Sequence, residues 1–224
     1  MLLILDLFGT FAFAISGAFR AVRYEMDILG VISLSIATGV GGGVIRDLLL
    51  NLSPPTALID ERYIIICALG ALLVFIAAPK IAKRWDYVLA ADAVGLAVFC
   101  AIGAAKADQL GAIPMTTVIM AVLTACGGGV IRDLLVNEIP AIFTHDFYAS
   151  AALLGGLIFV LLGKLEISSE IQIAATISSA LLLRTLALKY TLGLPSVKSL
   201  PASPSTLTKK YRNDQRTKKS IKRR

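Results

Sequence analysis

Gly41-Gly42-Gly43-Val44-Ile45-Arg46-Asp47-Leu48-Leu49 recurs, residue for residue, as Gly127-Gly128-Gly129-Val130-Ile131-Arg132-Asp133-Leu134-Leu135. The offset of 86 holds without a gap well beyond the nonapeptide. It pairs Asp6 with Asp92, Gly9 with Gly95, Phe13 with Phe99, Gly17 with Gly103 and Arg20 with Lys106. It also pairs Thr38 with Thr124, Asn51 with Asn137, Pro54 with Pro140 and Gly70 with Gly156. Identity at this length and register marks an internal duplication.

The chain around the repeat is apolar: 57% hydrophobic and 17% charged, with a mean hydropathy of +0.79. Soluble domains sit nearer half apolar and a quarter charged, so the composition places the chain in a membrane. Seven segments, about 2–20, 28–50, 62–79, 88–106, 114–137, 147–164 and 169–190, can each cross roughly 30 Å of hydrocarbon as a helix. Prolines fall at the joins, at Pro54-Pro55, Pro79, Pro114 and Pro140, where a missing N–H donor does least harm. The expected fold is therefore an all-α integral membrane protein with seven transmembrane helices. Its units are a three-helix repeat over 1–80, a second over 87–165, a seventh helix over 168–190 and a basic tail over 191–224. Three helices is an odd number, so the second copy enters the bilayer from the opposite side. The two copies are expected to be inverted about an axis in the membrane plane.

Charge is segregated along the chain. Residues 1–190 carry 12 Lys/Arg against 14 Asp/Glu, whereas residues 191–224 carry 10 Lys/Arg and the single acid Asp214. A basic tail suits either nucleic-acid binding or a cytoplasmic anchor for topology, and the membrane body ahead of it favours the anchor. Its Pro and Ser content and lack of apolar periodicity predict disorder. With the C-terminus inside, seven spans put the N-terminus outside, and the Lys/Arg content of the loops leans the same way. Residues 2–19 lack a basic leader and a clear cleavage site, so they are expected to be a retained helix. Trp85 and Tyr87 read as interface anchors, and His145, the sole histidine, as a surface residue.

The candidate site lies in the repeated motif. Glycine weakens a helix and bares its backbone, which lipid does not tolerate unless protein or water covers it. Gly41, Gly42, Gly43 and Gly127, Gly128, Gly129 are thus expected either to interrupt their helices along a transport path or to permit close helix packing. Thr38 and Thr124, just ahead of the glycines, could offer hydroxyls to a passing ion or bond back to their own helix; Ser16, Ser33 and Ser35 are equally open. Arg46, Asp47, Arg132 and Asp133 are charges within apolar segments, and such groups face a protein interior or a wet cavity. Neighbours on a helix point about 100° apart, so each arginine is expected to find its partner elsewhere. Asp6 serves for Arg46, in the outer half, and Asp92 for Arg132, in the inner half. Cys67, Cys100 and Cys126 lack metal or disulfide spacing and read as buried thiols. No nucleophile, nucleotide, cofactor or metal signature appears, so an enzyme is not expected.

The doubled G-G-G-V-I-R-D-L-L, the 3+3+1 arrangement, the outside N-terminus and the basic inside tail resemble the prokaryotic trimeric intracellular cation (TRIC) channels. Related bacterial membrane proteins that carry a "glycine transporter" domain name fit as well. The resemblance covers about residues 1–190. It implies a homotrimer with one pore per protomer, passing between the repeat halves and past kinks in the second and fifth spans, for K⁺ and possibly Na⁺. The residues matching the family's motif would be Gly41–Gly43, Arg46, Asp47, Gly127–Gly129, Arg132 and Asp133. A basic lipid-binding motif of the animal channels is not found, so phosphoinositide control is not implied. A secondary transporter for a small solute such as glycine would use the same architecture, and a scaffold without flux is the third possibility.

Overall fold

The computed structural model describes residues 1–81, 85–144, 147–190 and 192. The side chains of Trp85 and Tyr87, His145 and the basic tail, with the expectations attached to them, lie outside the described residues. All regular structure among the described residues is helical. The elements are α1 (Leu2–Arg23), α2 (Ile28–Leu49), α3 (Thr56–Ile59), α4 (Arg62–Ile81), α5 (Trp85–Gln109), α6 (Pro114–Leu135), α7 (Ala141–Thr144), α8 (Tyr148–Lys164) and α9 (Ser169–Tyr190).

Five of these, Leu2–Arg23, Ile28–Leu49, Val88–Gln109, Pro114–Leu135 and Ser169–Tyr190, are long and apolar enough to cross a membrane; Arg62–Ala78 and Tyr148–Lys164 are shorter apolar helices. Helix starts follow local chemistry. Asp27 caps α2 by accepting from the Gly30 N–H at 2.7 Å, and Pro114 opens α6, where its missing donor costs nothing. The ends of α2 and α6 are alike: Asn51 and Asn137 both take left-handed backbone at φ 58, which Asn tolerates better than most residues. The next amides close the turn, Leu52 N–H onto the Asp47 carbonyl at 2.8 Å and Glu138 N–H onto that of Asp133 at 2.9 Å.

α1, α2, α6 and α5 pack in a ring, each against the next. α4 covers α1 and α2, α8 covers α5 and α6, and α9 rests on α5 and α8. α1 and α5 are antiparallel: Asp6, early in α1, lies beside Lys106, late in α5, while Ser16 reaches Asp92 near the start of α5. Their contact is reciprocal. A Cβ on Gly9 would meet the Phe99 ring and one on Gly95 the Phe13 ring, and the two rings pack with centroids 5.2 Å apart. Small residues let these backbones approach closely enough for dispersion to hold them without a hydrophobic drive from water. Cys67, Cys100 and Cys126 are free and buried in this packing.

Both glycine triplets are helical, within unbroken α-helix over Ile28–Leu49 and Pro114–Leu135. The backbone bared at the triplets is covered by the facing helix. Arg20 and Lys106 lie within the last turns of α1 and α5. Their helices continue because carboxylates of the opposite half receive the charged ends.

Candidate functional site

α2 and α6 cross antiparallel at the triplets, backbone against backbone. A Cβ on Gly42 would strike the Thr124 carbonyl oxygen and one on Gly128 that of Thr38, while a Cβ on Gly127 would lie 3.1 Å from the Gly42 Cα. Thr38 and Thr124 are fully buried and donate to carbonyls of their own helices, Leu34 and Met120, both at 2.6 Å. Gly17 and Gly103 press against these same threonines from α1 and α5. Ser35 donates to the carbonyls of Ala14 and Cys67, and Ser33 is exposed.

A buried charge cluster stands on each side of the crossing. Arg46 and Arg132 follow Gly42 and Gly128 by four residues, so the two clusters are separated by roughly 12 Å along the helix axes. In the first, Arg46 Nη2 lies 3.5 Å from Asp6 Oδ2 and its Nε donates to Asp47 Oδ1 at 2.8 Å. Lys106 Nζ reaches in from α5, 3.4 Å from Asp6 and 3.7 Å from Asp47. The Tyr63 hydroxyl donates to Asp6 at 3.0 Å, and the Thr56 N–H, at the head of α3, donates to Asp47 at 2.9 Å. Two acids and two bases make the cluster neutral, which is what allows charge to persist out of water. Asp6, Thr10, Arg46, Asp47 and Tyr63 line a cavity of about 10 Å³, room for about one water molecule.

In the second cluster Arg132 Nη1 donates to Asp92 Oδ1 and, at 2.5 Å, to Ser16 Oγ, and its Nε donates to Asp133 Oδ1 at 2.9 Å. Arg20 Nη2 lies 3.4 Å from Asp133, and its Nη1 donates to Glu138 at 2.5 Å. The Ala141 N–H, heading α7, donates to Asp133 at 2.9 Å. Arg184, on α9 and only 2% exposed, holds its guanidinium 4.9 Å from the centre of the Tyr148 ring.

The structure thus brings Arg46 to Asp6 and Arg132 to Asp92. It corrects the expectation that sequence neighbours cannot pair, since Arg46 bonds Asp47 and Arg132 bonds Asp133. An arginine stem is long enough to wrap sideways around its helix. Its planar fork then presents Nε to one carboxylate and Nη to another. Sequence reasoning missed Arg20, Lys106, Tyr63, Glu138 and Arg184. The Arg20/Lys106 match at the repeat offset was the signal for two of them. A charge inside an apolar segment was the signal for Arg184.

A family profile described as glycine transporter matches residues 3–79 and 89–164, two stretches whose starts lie 86 residues apart. A UPF0126 membrane protein of Vibrio cholerae is 39% identical over 200 residues, covering 88% of this chain and 82% of its own length. The UPF0126 inner membrane protein YadS of Escherichia coli K12 is 38% identical over 199 residues, covering 86% and 94%. Among solved structures, a TRIC trimeric intracellular cation channel orthologue from Rhodobacter sphaeroides superposes with a TM-score of 0.82 at 40% identity, over 85% of this chain and 98% of that one. A second TRIC cation channel, solved to explain conductance, gives 0.81 at 39% identity, over 89% and 98%. A TRIC counter-ion channel of calcium release shares the fold alone, with a TM-score of 0.58 at 14% identity.

Proposed function

The chain belongs to the glycine transporter (UPF0126) family, and from that premise we propose that it is a cation channel of the cell membrane. It conducts K⁺, and Na⁺ less selectively resolved from it, as a homotrimer with one path in each protomer. Similarity near 40% to two TRIC cation channels over almost their whole length supports conduction. Seven spans, an outside N-terminus, a cytoplasmic tail and two inverted three-helix units complete the reading. The antiparallel run of α1 and α5, helices equivalent under the duplication, supports the inversion.

One observation carries the path. Two neutral charge clusters, equivalent under the 86-residue offset, flank a crossing that consists of glycine backbone. Charge-compensated groups of this kind let a cation shed part of its hydration without meeting a deep trap. In the closed form the α2–α6 crossing fills the space between the clusters, and conduction requires those helices to part or slide. The site residues are therefore Asp6, Arg46, Asp47, Asp92, Arg132 and Asp133 with the glycines between them, joined by Arg20 and Lys106.

The family's description favours a second reading, uptake of a small solute such as glycine by alternating exposure of the same crossing. Purified protein in a planar bilayer separates the two. Unitary K⁺ currents are expected. Saturable, ion-coupled glycine uptake into liposomes without unitary currents would replace the channel with a transporter.

A further inference from the structure

We propose that Glu138 is a positioning residue that latches one end of the protein, tying the α1–α2 turn of the first half to the end of α6 in the second. Both carboxylate oxygens are engaged across the halves. Oε2 accepts from Arg20 Nη1 at 2.5 Å, and Oε1 accepts from the Tyr24 hydroxyl. Arg20 in turn lies against Asp133, so the latch fixes a cation of the second cluster from its outer side. The hydrogen bond to Glu138 also raises the Tyr24 pKa above its ordinary value, keeping the phenol a donor.

The opposite end supplies an internal comparison. There the frame is the same: Asn51 repeats the φ of Asn137, and Leu52 N–H repeats the bond of Glu138 N–H. The side chains are different. At the 86-residue offset Glu138 corresponds to Leu52 and Tyr24 to Leu110. Lys106, the counterpart of Arg20, turns to Asp6 and Asp47. The duplication kept the backbone at both ends, and only the Arg20 end carries the latch. The Glu138 side chain is 37% exposed, so water competes for it and thermal motion can release it. Resting on the channel reading for its effect on flux, the latch makes opening at the Arg20 end the step that needs a contact broken. The Leu52 end keeps only the Lys106 contacts with Asp6 and Asp47 and has no counterpart of the Glu138 contacts.

Two readouts test this in wild type, Glu138→Ala, Glu138→Gln, Tyr24→Phe and, as a control at the equivalent position, Leu52→Ala. Single-channel recording should show open probability rising by about two- to five-fold in the three latch variants, the factor expected for loss of an exposed pair. Unit conductance should stay at the wild-type value, and Leu52→Ala should match wild type in both. Hydrogen exchange in lipid nanodiscs should accelerate in Glu138→Ala at residues 20–26 and 133–139 and not at 47–53 and 106–112. Exchange that rises equally at both ends, or nowhere, overturns the latch. Reduced unit conductance at unchanged open probability also overturns it, because Glu138 would then line the path. Local exchange changes in a protein whose wild type passes no current would leave the latch standing and remove the channel.

Discussion

Gly42 sits so close to Thr124 that a single methyl group added to it would run into the threonine's carbonyl oxygen. The obstacle is backbone in a neighbouring helix, which cannot rotate away as a side chain can. Gly128 stands in the same relation to Thr38. The triplets are therefore a place where backbone of one half meets backbone of the other.

Gly42→Ala and Gly128→Ala are expected to destabilise the fold, by about 1–3 kcal/mol or more, because overpacking here has no soft partner. Gly43→Ala is the contrast. Its Cβ would meet only the Arg46 guanidinium, at 3.5 Å, and alanine favours helix by about 1 kcal/mol. Thermal unfolding in detergent checks the order: Gly43→Ala at or above wild type, the other two clearly below.

Arg46→Ala and Arg132→Ala each strand buried carboxylates, a loss on the order of 3–5 kcal/mol. Arg132→Lys should recover little. Arg132 bonds Asp133 through Nε while Nη1 holds Asp92 and Ser16, and an ammonium cannot span that separation. Equal stability and equal flux for the lysine variant would show that the fork is not needed.

Lys106→Met removes an ammonium shared by Asp6 and Asp47. Its side chain is 20% exposed, and Arg46 and Tyr63 still serve Asp6. The loss should be smaller than for Arg46→Ala, about 1–3 kcal/mol. The surplus negative charge should raise K⁺ flux into liposomes at low ionic strength, with the gain shrinking as salt screens it.

Thr38→Val and Thr124→Val test whether hydroxyls line the path. Both already donate to their own helices and are closed in by Gly17 and Gly103. Flux through the valine variants is expected to match wild type, and a fall of ten-fold or more in a liposome K⁺ assay would return the threonines to the lining.

Much of this arrangement was legible in the chain. The offset of 86 pairs Asp6 with Asp92 and Arg46 with Arg132, and the adjoining helices anticipate the Arg46–Asp6 and Arg132–Asp92 pairs alone. Helix positions followed from apolar length. The role of the glycines was less legible, because a triplet that opens a helix and one that admits a neighbouring backbone have the same composition. Only the distance to Thr38 and Thr124 separates them. Arg46–Asp47 pairing was hidden for another reason: helical periodicity fixes where a Cβ points, and the reach of a long side chain lies outside that rule. Glu138 and Tyr24 had no signal at all, since the repeat offers leucines in their place.

Arg184 gives the two clusters unequal electrical surroundings. It belongs to α9, which follows both copies of the repeat, so the duplication provides no twin for it. On the channel reading, the Asp92 side presents Arg20, Arg132 and Arg184 beside Asp92, Asp133 and Glu138, and the Asp6 side presents Arg46 and Lys106 beside Asp6 and Asp47. The energy profile along such a route is lopsided even though its framework is nearly twofold. A lopsided profile does not carry equal current at equal and opposite voltages. On the channel reading proposed above, the last helix is therefore expected to make the protein rectify, which current–voltage curves of wild type and Arg184→Met would compare.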